Sequence, residues 1–355
     1  MPPPTITLQS TPSPSPHLLA RLRAHLPYSL PVLRRLQFAT LAFPDGSGIN
    51  SKPNNTHVLY ARHQRNPHAK EEEEEEEEEA QGEEKGEEEG HFAAACVDLS
   101  RAPETQVWVY CSLEDGDNND HNRGVDGQGG RSGITGGRAT PGHSWSRGRT
   151  RTRQEEEALD LVVAVLRGVR GIQVAMASSC GNGTLVGEWE TEILVGSLHE
   201  TIRQGLLARG VRMHKSANIP PEVDWEFCGK WLFRVEDLPL AGDPALPEGM
   251  RWDRFRKEDV RVVQSRTSIT RQELDDGTPV AWAFLGLDGT IMTLHVEESY
   301  RQRGLAKALA CKLMRARLSD YGDDGWGAAD VYEGNHKSQA LCRSIGGKNS
   351  WTLSW

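Results

Sequence analysis

The segment Leu294-His295-Val296-Glu297-Glu298-Ser299-Tyr300-Arg301-Gln302-Arg303-Gly304-Leu305-Ala306 decides the fold class. Up to Val296, from Thr290, the residues are β-branched or apolar with no Gly or Pro, which is a strand pattern. Beyond it, Leu305, Leu309 and Leu313 recur at helical spacing, with Ala308, Ala310 and Met314 widening the stripe. Between them lies a short basic turn, Arg301 to Gly304. A helix start offers unpaired N–H groups and a partial positive charge. A Gly there lets a ligand come close to the backbone. The expectation is an anion site suited to a pyrophosphate. Taken alone, the motif also fits an ordinary connection with solvated arginines.

Working outward, Leu287-Asp288-Gly289 joins two apolar runs, Pro279 to Leu285 and Thr290 to Val296, and predicts a hairpin. The long helix is expected from about Gln302 to Leu318. Ala328 to Tyr332 reads as a strand, and Asn335 caps a helix of about Lys337 to Ser344. Gly346-Gly347 stops that helix, and Trp351 to Trp355 closes as a strand.

Arg301-x-x-Gly304-x-Ala306 resembles the acyl-CoA signature of the GNAT superfamily of N-acyltransferases. Gly277-Thr278-Pro279-Val280-Ala281-Trp282, continuing through Tyr300-Arg301 to Gly304-Leu305, is similar to the C-terminal domain of glycine N-acyltransferases. A second block, Asp330-Val331-Tyr332-Glu333-Gly334-Asn335 with Ser338, Leu341 and Gly346, resembles the superfamily's second strand–helix unit. The resemblance covers roughly residues 246 to 355. It implies an α/β (α+β layer) GNAT fold, a mixed central sheet flanked by helices. It also implies a degenerate copy of that fold in the N-terminal half.

The resemblance further implies roles. Leu294 and Val296 would pair through their main chain with the pantetheine arm, and the N–H near Val296 would polarise the thioester carbonyl. Arg301, Gln302, Arg303, Gly304, Leu305 and Ala306 would hold the diphosphate. Asn335 and Ser338 would contact pantetheine, although a plain N-cap also accounts for Asn335. The Glu that glycine N-acyltransferases carry after the hairpin turn is here Thr290, which is no base. His295, Glu297 and Glu298 are within reach by sequence, and a water chain is an alternative. An unperturbed imidazole, near pH ~6.5, suits a base. Where many members have a Tyr as acid, this chain has Cys342. Between Arg266 and Pro279 the family's strand is missing, since Thr267 to Gly277 is short and polar.

The chain has 355 residues, which suggests two domains. Its net charge of −10 is local. Glu71 to Glu89 holds fourteen Glu and one Lys, a balance of −13, so the rest is about +3. Residues 1–16 are expected to be a disordered tail and 17–235 an N-terminal α/β domain, with disordered inserts at about 44–90 and 114–153. Residues 236–248 read as a linker and 249–355 as the acyltransferase domain. Helices are expected at His17 to Leu26, Pro31 to Ala39, Glu155 to Val169 and His199 to Arg209. Val107 to Cys111 reads as a strand, and so does Val223 to Val235, placed in the N-terminal half.

The function expected is acyl transfer from acetyl-CoA or another acyl-CoA to an amine, a small molecule or amino acid, in a ternary complex. A protein N-acetyltransferase or a CoA-binding pseudoenzyme is the alternative. Six cysteines without zinc spacing lead to no metal, and reduced thiols to a cytoplasmic location. The Arg/Gly insert has Trp145 as its sole aromatic ring, so no nucleic-acid partner is expected. The N-terminus has no signal-peptide pattern, and the longest apolar run, Leu161 to Leu166, predicts no membrane span.

Overall fold

The computed structural model describes residues 5–40, 56–64, 90–99, 105–118, 151–179, 192–214, 227–240, 246, 251–253 and 279–355. The chain divides into two units, 1–226 with 352–355, and 227–351.

The first unit opens with β1 (Ile6–Thr11), α1 (Pro16–Ala24) and α2 (Leu30–Thr40). There follow β2 (Thr56–His63), β3 (Phe92–Asp98) and β4 (Gln106–Cys111), then a 3₁₀ segment (Ser112–Asn118) and α3 (Arg153–Ser179). It continues with β5 (Leu194–Val195), β6 (Leu198–His199) and α4 (Glu200–Ala208). Its main sheet runs β1-β2-β3-β4-β5, antiparallel except for the parallel β4/β5 pair. Alternation along β3 and β4 sends Ala93, Ala95, Val97, Val107 and Val109 to one face. There they pack on Leu159, Val162, Val165 and Val169 of α3 and on Ile202 and Leu206 of α4. The opposite face carries Tyr60, Phe92 and Tyr110. Arg21 of α1 lies over the Phe92 ring and donates to Tyr60 Oη at 2.5 Å.

The second unit comprises β7 (Phe227–Arg234), β8 (Ala281–Leu285), β9 (Thr290–Val296) and α5 (Leu305–Arg317). β10 (Trp326–Tyr332), α6 (His336–Ser344) and β11 (Lys348–Ser354) complete it. The strand order is β11-β7-β10-β9-β8. The last residues of β11 belong to the first unit, where Leu353 and Ser354 pair with His199 and Leu198. α5 buries Ala310, Cys311 and Met314 against Trp231, Phe233, Ala329 and Val331 of the sheet and Cys342 and Ile345 at the end of α6.

The α/β class with mixed sheets flanked by helices stands as expected, and several boundaries move. Ile6–Thr11 is not part of a disordered tail. It pairs with β2 over its full length, although four of its six residues are exposed. β2 falls within the segment expected to be an insert, because it needs β1 and β3 on either side to bury Val58 to Ala61. β7, expected in the N-terminal half, pairs with β10 from Trp326↔Arg234 to Tyr332↔Cys228 and belongs to the second unit. α5 begins at Leu305, three residues later than expected, because Gln302 (φ 63) and Gly304 (φ 79) are left-handed and interrupt the helix. The Glu run, most of the Arg/Gly insert and the question of a strand between Arg266 and Pro279 lie outside the described residues.

Candidate active site

The hairpin that feeds the site is set by Asp288-Gly289. Gly289 takes φ 71, and Asp288 Oδ1 accepts from the Thr290 N–H at 3.1 Å. Along β8 and β9 the register shifts once. Leu285 faces Ile291 and Phe284 faces Met292, but Trp282 faces His295 and Ala281 faces Val296. Thr293 and Leu294 together oppose Ala283, so β9 carries one extra residue. Thr293 takes φ 52, the left-handed first residue of a bulge.

That bulge bends β9 away from β10. The two parallel strands pair at Ala328↔Thr290 and Ala329↔Ile291 and, among the described residues, no further. The Glu297 N–H donates to the Val280 carbonyl at 2.9 Å, so Glu297 and His295 turn their main-chain groups toward β8. Val296 between them, and Leu294 before it, turn theirs toward the gap. The Val296 carbonyl accepts from Arg301 Nε at 3.0 Å, which leaves its N–H facing the opening between the strands.

At the end of β9 the chain makes a 3₁₀ turn, Glu298–Tyr300, and enters α5 through Gly304, whose side gives the helix no cap. The first turn of α5 has no acidic residue, while Arg301, Arg303 and Lys307 surround it. Cations at a helix N-terminus cost roughly 0.3–1 kcal/mol each, so this arrangement suits a bound anion better than an empty end. Arg303 reaches the Ser299 carbonyl at 3.2 Å, and Lys307 the Ser344 carbonyl at 2.9 Å. A Cβ on Gly304 would meet nothing within 4 Å, so the turn lies open.

α6 starts from the neighbouring parallel strand, and its N-terminus therefore lies at the same edge of the sheet as that of α5. Ligands of open α/β sheets occupy this position, the carboxyl ends of strands that part. Asn335 Oδ1 accepts from the Ser338 N–H at 3.1 Å, so the N-cap reading of Asn335 holds geometrically and both residues sit at the rim. Cys342 lies farther in. It is buried in the core cluster under α5, and burial pushes its thiol up to about 12.

His295 and Glu297 are on the sheet face away from α5. The His295 ring stacks on Trp282, with centroids 4.5 Å apart and planes at 18°, and its Nε2 stands 3.8 Å from Glu297 Oε2. The same face holds Lys230 and Asp330, a cross-strand ion pair at 2.6 Å with exposures of 1% and 8%. The sequence gives neither Trp282 nor this pair a role at the site. Hydrophobic alternation hides a buried Lys, whose partner comes from a strand a hundred residues away.

The first unit repeats the motif without the opening. β4 and β5 are also parallel and pair at two positions, Gln106↔Leu194 and Val107↔Val195. A Cβ on Gly196 would lie 2.5 Å from the Trp108 indole, so that ring fills the place where the strands would part. After β4 the chain carries Glu114 and Asp115 instead of a basic turn. Glu114 accepts from the Cys111 N–H at 2.9 Å, and Asp115 from Tyr110 Oη at 2.8 Å. Carboxylates there would repel a diphosphate.

Among the described residues no cluster of three His, Cys, Asp or Glu is placed to hold a metal, and no helix is long and apolar enough to cross a membrane. Residues 4–222 match a family described as the acyl-CoA N-acyltransferase verG N-terminal domain. No curated protein matches the chain. Among solved structures, the X-ray structure of a Drosophila protein, a structural-genomics target, has a TM-score of 0.50 at 14% identity. That likeness covers 98% of this chain and 97% of the other, and it speaks for the fold alone.

Proposed function

Since the chain belongs to the acyl-CoA N-acyltransferase verG N-terminal domain family, with acyl-CoA as co-substrate, we propose that its C-terminal unit transfers the acyl group to the amine of a small molecule. The reading is of a GNAT-type direct attack in a ternary complex, with acetyl-CoA the simplest donor. The observation that carries it is the gap between β9 and β10 beyond Ile291 and Ala329, which ends at a basic, uncapped helix start.

In this reading the N–H groups of Leu305, Ala306 and Lys307 receive the diphosphate, with Arg301, Gln302, Arg303 and Gly304 shaping the turn. The pantetheine arm lies along Leu294 to Val296 as an added strand, near Asn335 and Ser338. The Val296 N–H points at the thioester oxygen and stabilises the charge that grows on it during attack. His295, beside Glu297, takes the proton from the acceptor's ammonium, so that a neutral amine attacks. The tetrahedral intermediate collapses with loss of CoA thiolate, which gains a proton. Cys342 keeps its proton at neutral pH, but its burial favours a packing role, with water as the donor.

The test is release of free CoA thiol from acetyl-CoA and longer acyl-CoAs across a panel of amines and basic peptides. Thiol release that depends on a small amine supports the reading. Release with basic peptides alone points to a protein acyltransferase. Binding of acyl-CoA without release on any acceptor contradicts catalysis.

A further inference from the structure

A neutral imidazole carries its proton on one nitrogen and its lone pair on the other, so the neighbour of each nitrogen decides which can act as a base. His295 and Glu297 lie two residues apart at the end of β9 and share one face of the sheet. His295 Nε2 is buried and, among the described residues, has no hydrogen-bond partner. It stands 3.8 Å from Glu297 Oε2. The His295 side chain as a whole keeps 28% of its surface exposed, so the part of the ring open to an incoming amine is not Nε2. The Trp282 ring, stacked at 4.5 Å and 18°, covers one face of the imidazole and holds its plane.

Glu297 is fixed on both sides of its own main chain. Its N–H donates to the Val280 carbonyl at 2.9 Å, and its carbonyl accepts from the Tyr300 N–H at 2.9 Å. Its carboxylate makes no cap bond to the 3₁₀ turn that follows. A carboxylate only accepts, so beside Nε2 it favours the tautomer with the proton on Nε2 and the lone pair on Nδ1. The 3.8 Å separation is longer than a hydrogen bond, as catalytic pairs often are before the substrate binds. Proton uptake turns the ring into an imidazolium, whose attraction to the carboxylate draws the two together.

We propose that Glu297 is a positioning residue, which holds the His295 proton on Nε2 and thereby makes Nδ1 the atom that deprotonates the acceptor's ammonium. The N–H bond of the ammonium breaks, its electron pair stays on the amine, and the proton joins Nδ1. The imidazolium passes that proton to water after turnover. The proposal rests on the acyltransferase reading given above.

The experiment compares thiol release by wild type, Glu297→Ala, Glu297→Gln, His295→Gln and the double variant of His295→Gln with Glu297→Ala, using the best amine of the panel. Glu297→Ala is expected to lower kcat by about ten- to a hundredfold, the worth of a hydrogen bond to a charged partner, with KM for acetyl-CoA unchanged. Glu297→Gln, whose amide oxygen still accepts from Nε2–H, recovers part of that loss. Adding Glu297→Ala to His295→Gln leaves kcat within about twofold, because the carboxylate acts through the ring. Nitrogen NMR of the isotope-labelled wild-type chain, at a pH where the ring is neutral, gives the Nε2–H tautomer for His295, assigned by the signals lost in His295→Gln. An unchanged kcat in Glu297→Ala overturns the proposal, and so does a double variant that loses the product of the two single losses. A ring protonated at Nδ1 overturns it whether or not any variant folds. Absence of thiol release with every amine removes the acyltransferase reading and this inference with it, whereas independent losses with turnover remove this inference alone.

Discussion

Replacing Gly304 by Glu separates the cost to the fold from the cost to the ligand. Gly304 takes φ 79, where an L side chain is strained by about 1–2 kcal/mol. Its Cβ would meet nothing within 4 Å, so no packing penalty is added. At about 2–4 °C per kcal/mol, the unliganded variant should melt only a few degrees below wild type. The ligand suffers more. Acyl-CoA at a hundred times its Kd stabilises the wild-type chain by about 2.7 kcal/mol, or roughly 5–10 °C. A carboxylate about 4 Å from a diphosphate charge, at the screening usual near a protein surface, opposes it by about 4 kcal/mol. The gain is thereby erased. Thermal melting with and without acetyl-CoA reads both effects at once. Gly304→Asn, which tolerates the left-handed region and stays neutral, should retain most of the shift. A Gly304→Glu protein stabilised as much as wild type would refute the placement of the diphosphate at this turn.

Three other outcomes follow from the same geometry. His295→Gln should lower kcat by about 10²–10⁴, the range of a lost general base, while acetyl-CoA still raises the melting temperature. An unchanged kcat would move the base elsewhere, with Glu297 next in reach. Cys342→Ala should cost about 1–2 kcal/mol of stability for a shortened core side chain, with kcat held within a few-fold. A tenfold fall in kcat would restore the thiol as proton donor.

The third concerns His199, which is buried at the start of α4, where its Nδ1 accepts from the Thr201 N–H at 3.2 Å. Burial lowers its pKa to about 3. Because the folded value lies below the unfolded ~6.5, the unfolded chain alone takes up the proton as pH falls. Stability is therefore full well above pH ~6.5 and is lost as pH falls through and below it, by about 2 kcal/mol between 6.5 and 4.5. Denaturant titrations at the two pH values should show that loss, and His199→Asn, which keeps a capping side chain, should diminish it.

The local features were legible in the sequence because each is written in a few adjacent residues. Asp288-Gly289 fixed the hairpin, the Leu305, Leu309 and Leu313 spacing gave the helix, and Arg301 to Gly304 gave the charge at its start. Features that depend on partners distant in the chain were hidden. β1 has four exposed residues of six, so its Thr, Gln and Ser read as part of a polar tail until β2 pairs with it. β7 looks the same by composition whichever sheet it joins, and its pairing with β10 is decided by residues a hundred positions away. The bulge at Thr293 carries no Gly to announce it, yet it is what turns Val296 toward the gap. Trp282 and Lys230 read as ordinary strand residues, because what sets them apart is the neighbour across the sheet.

Hydrogen exchange of the segment from Thr290 to Leu309, followed with and without acetyl-CoA, tests the co-substrate's place most directly. The amides of Leu294, Val296, Leu305, Ala306 and Lys307 should slow together when the ligand is added, while those of the Ser112–Asn118 segment in the first unit should not change. Exchange at the Val296 and Leu305 amides that is identical in the presence of saturating ligand would contradict it.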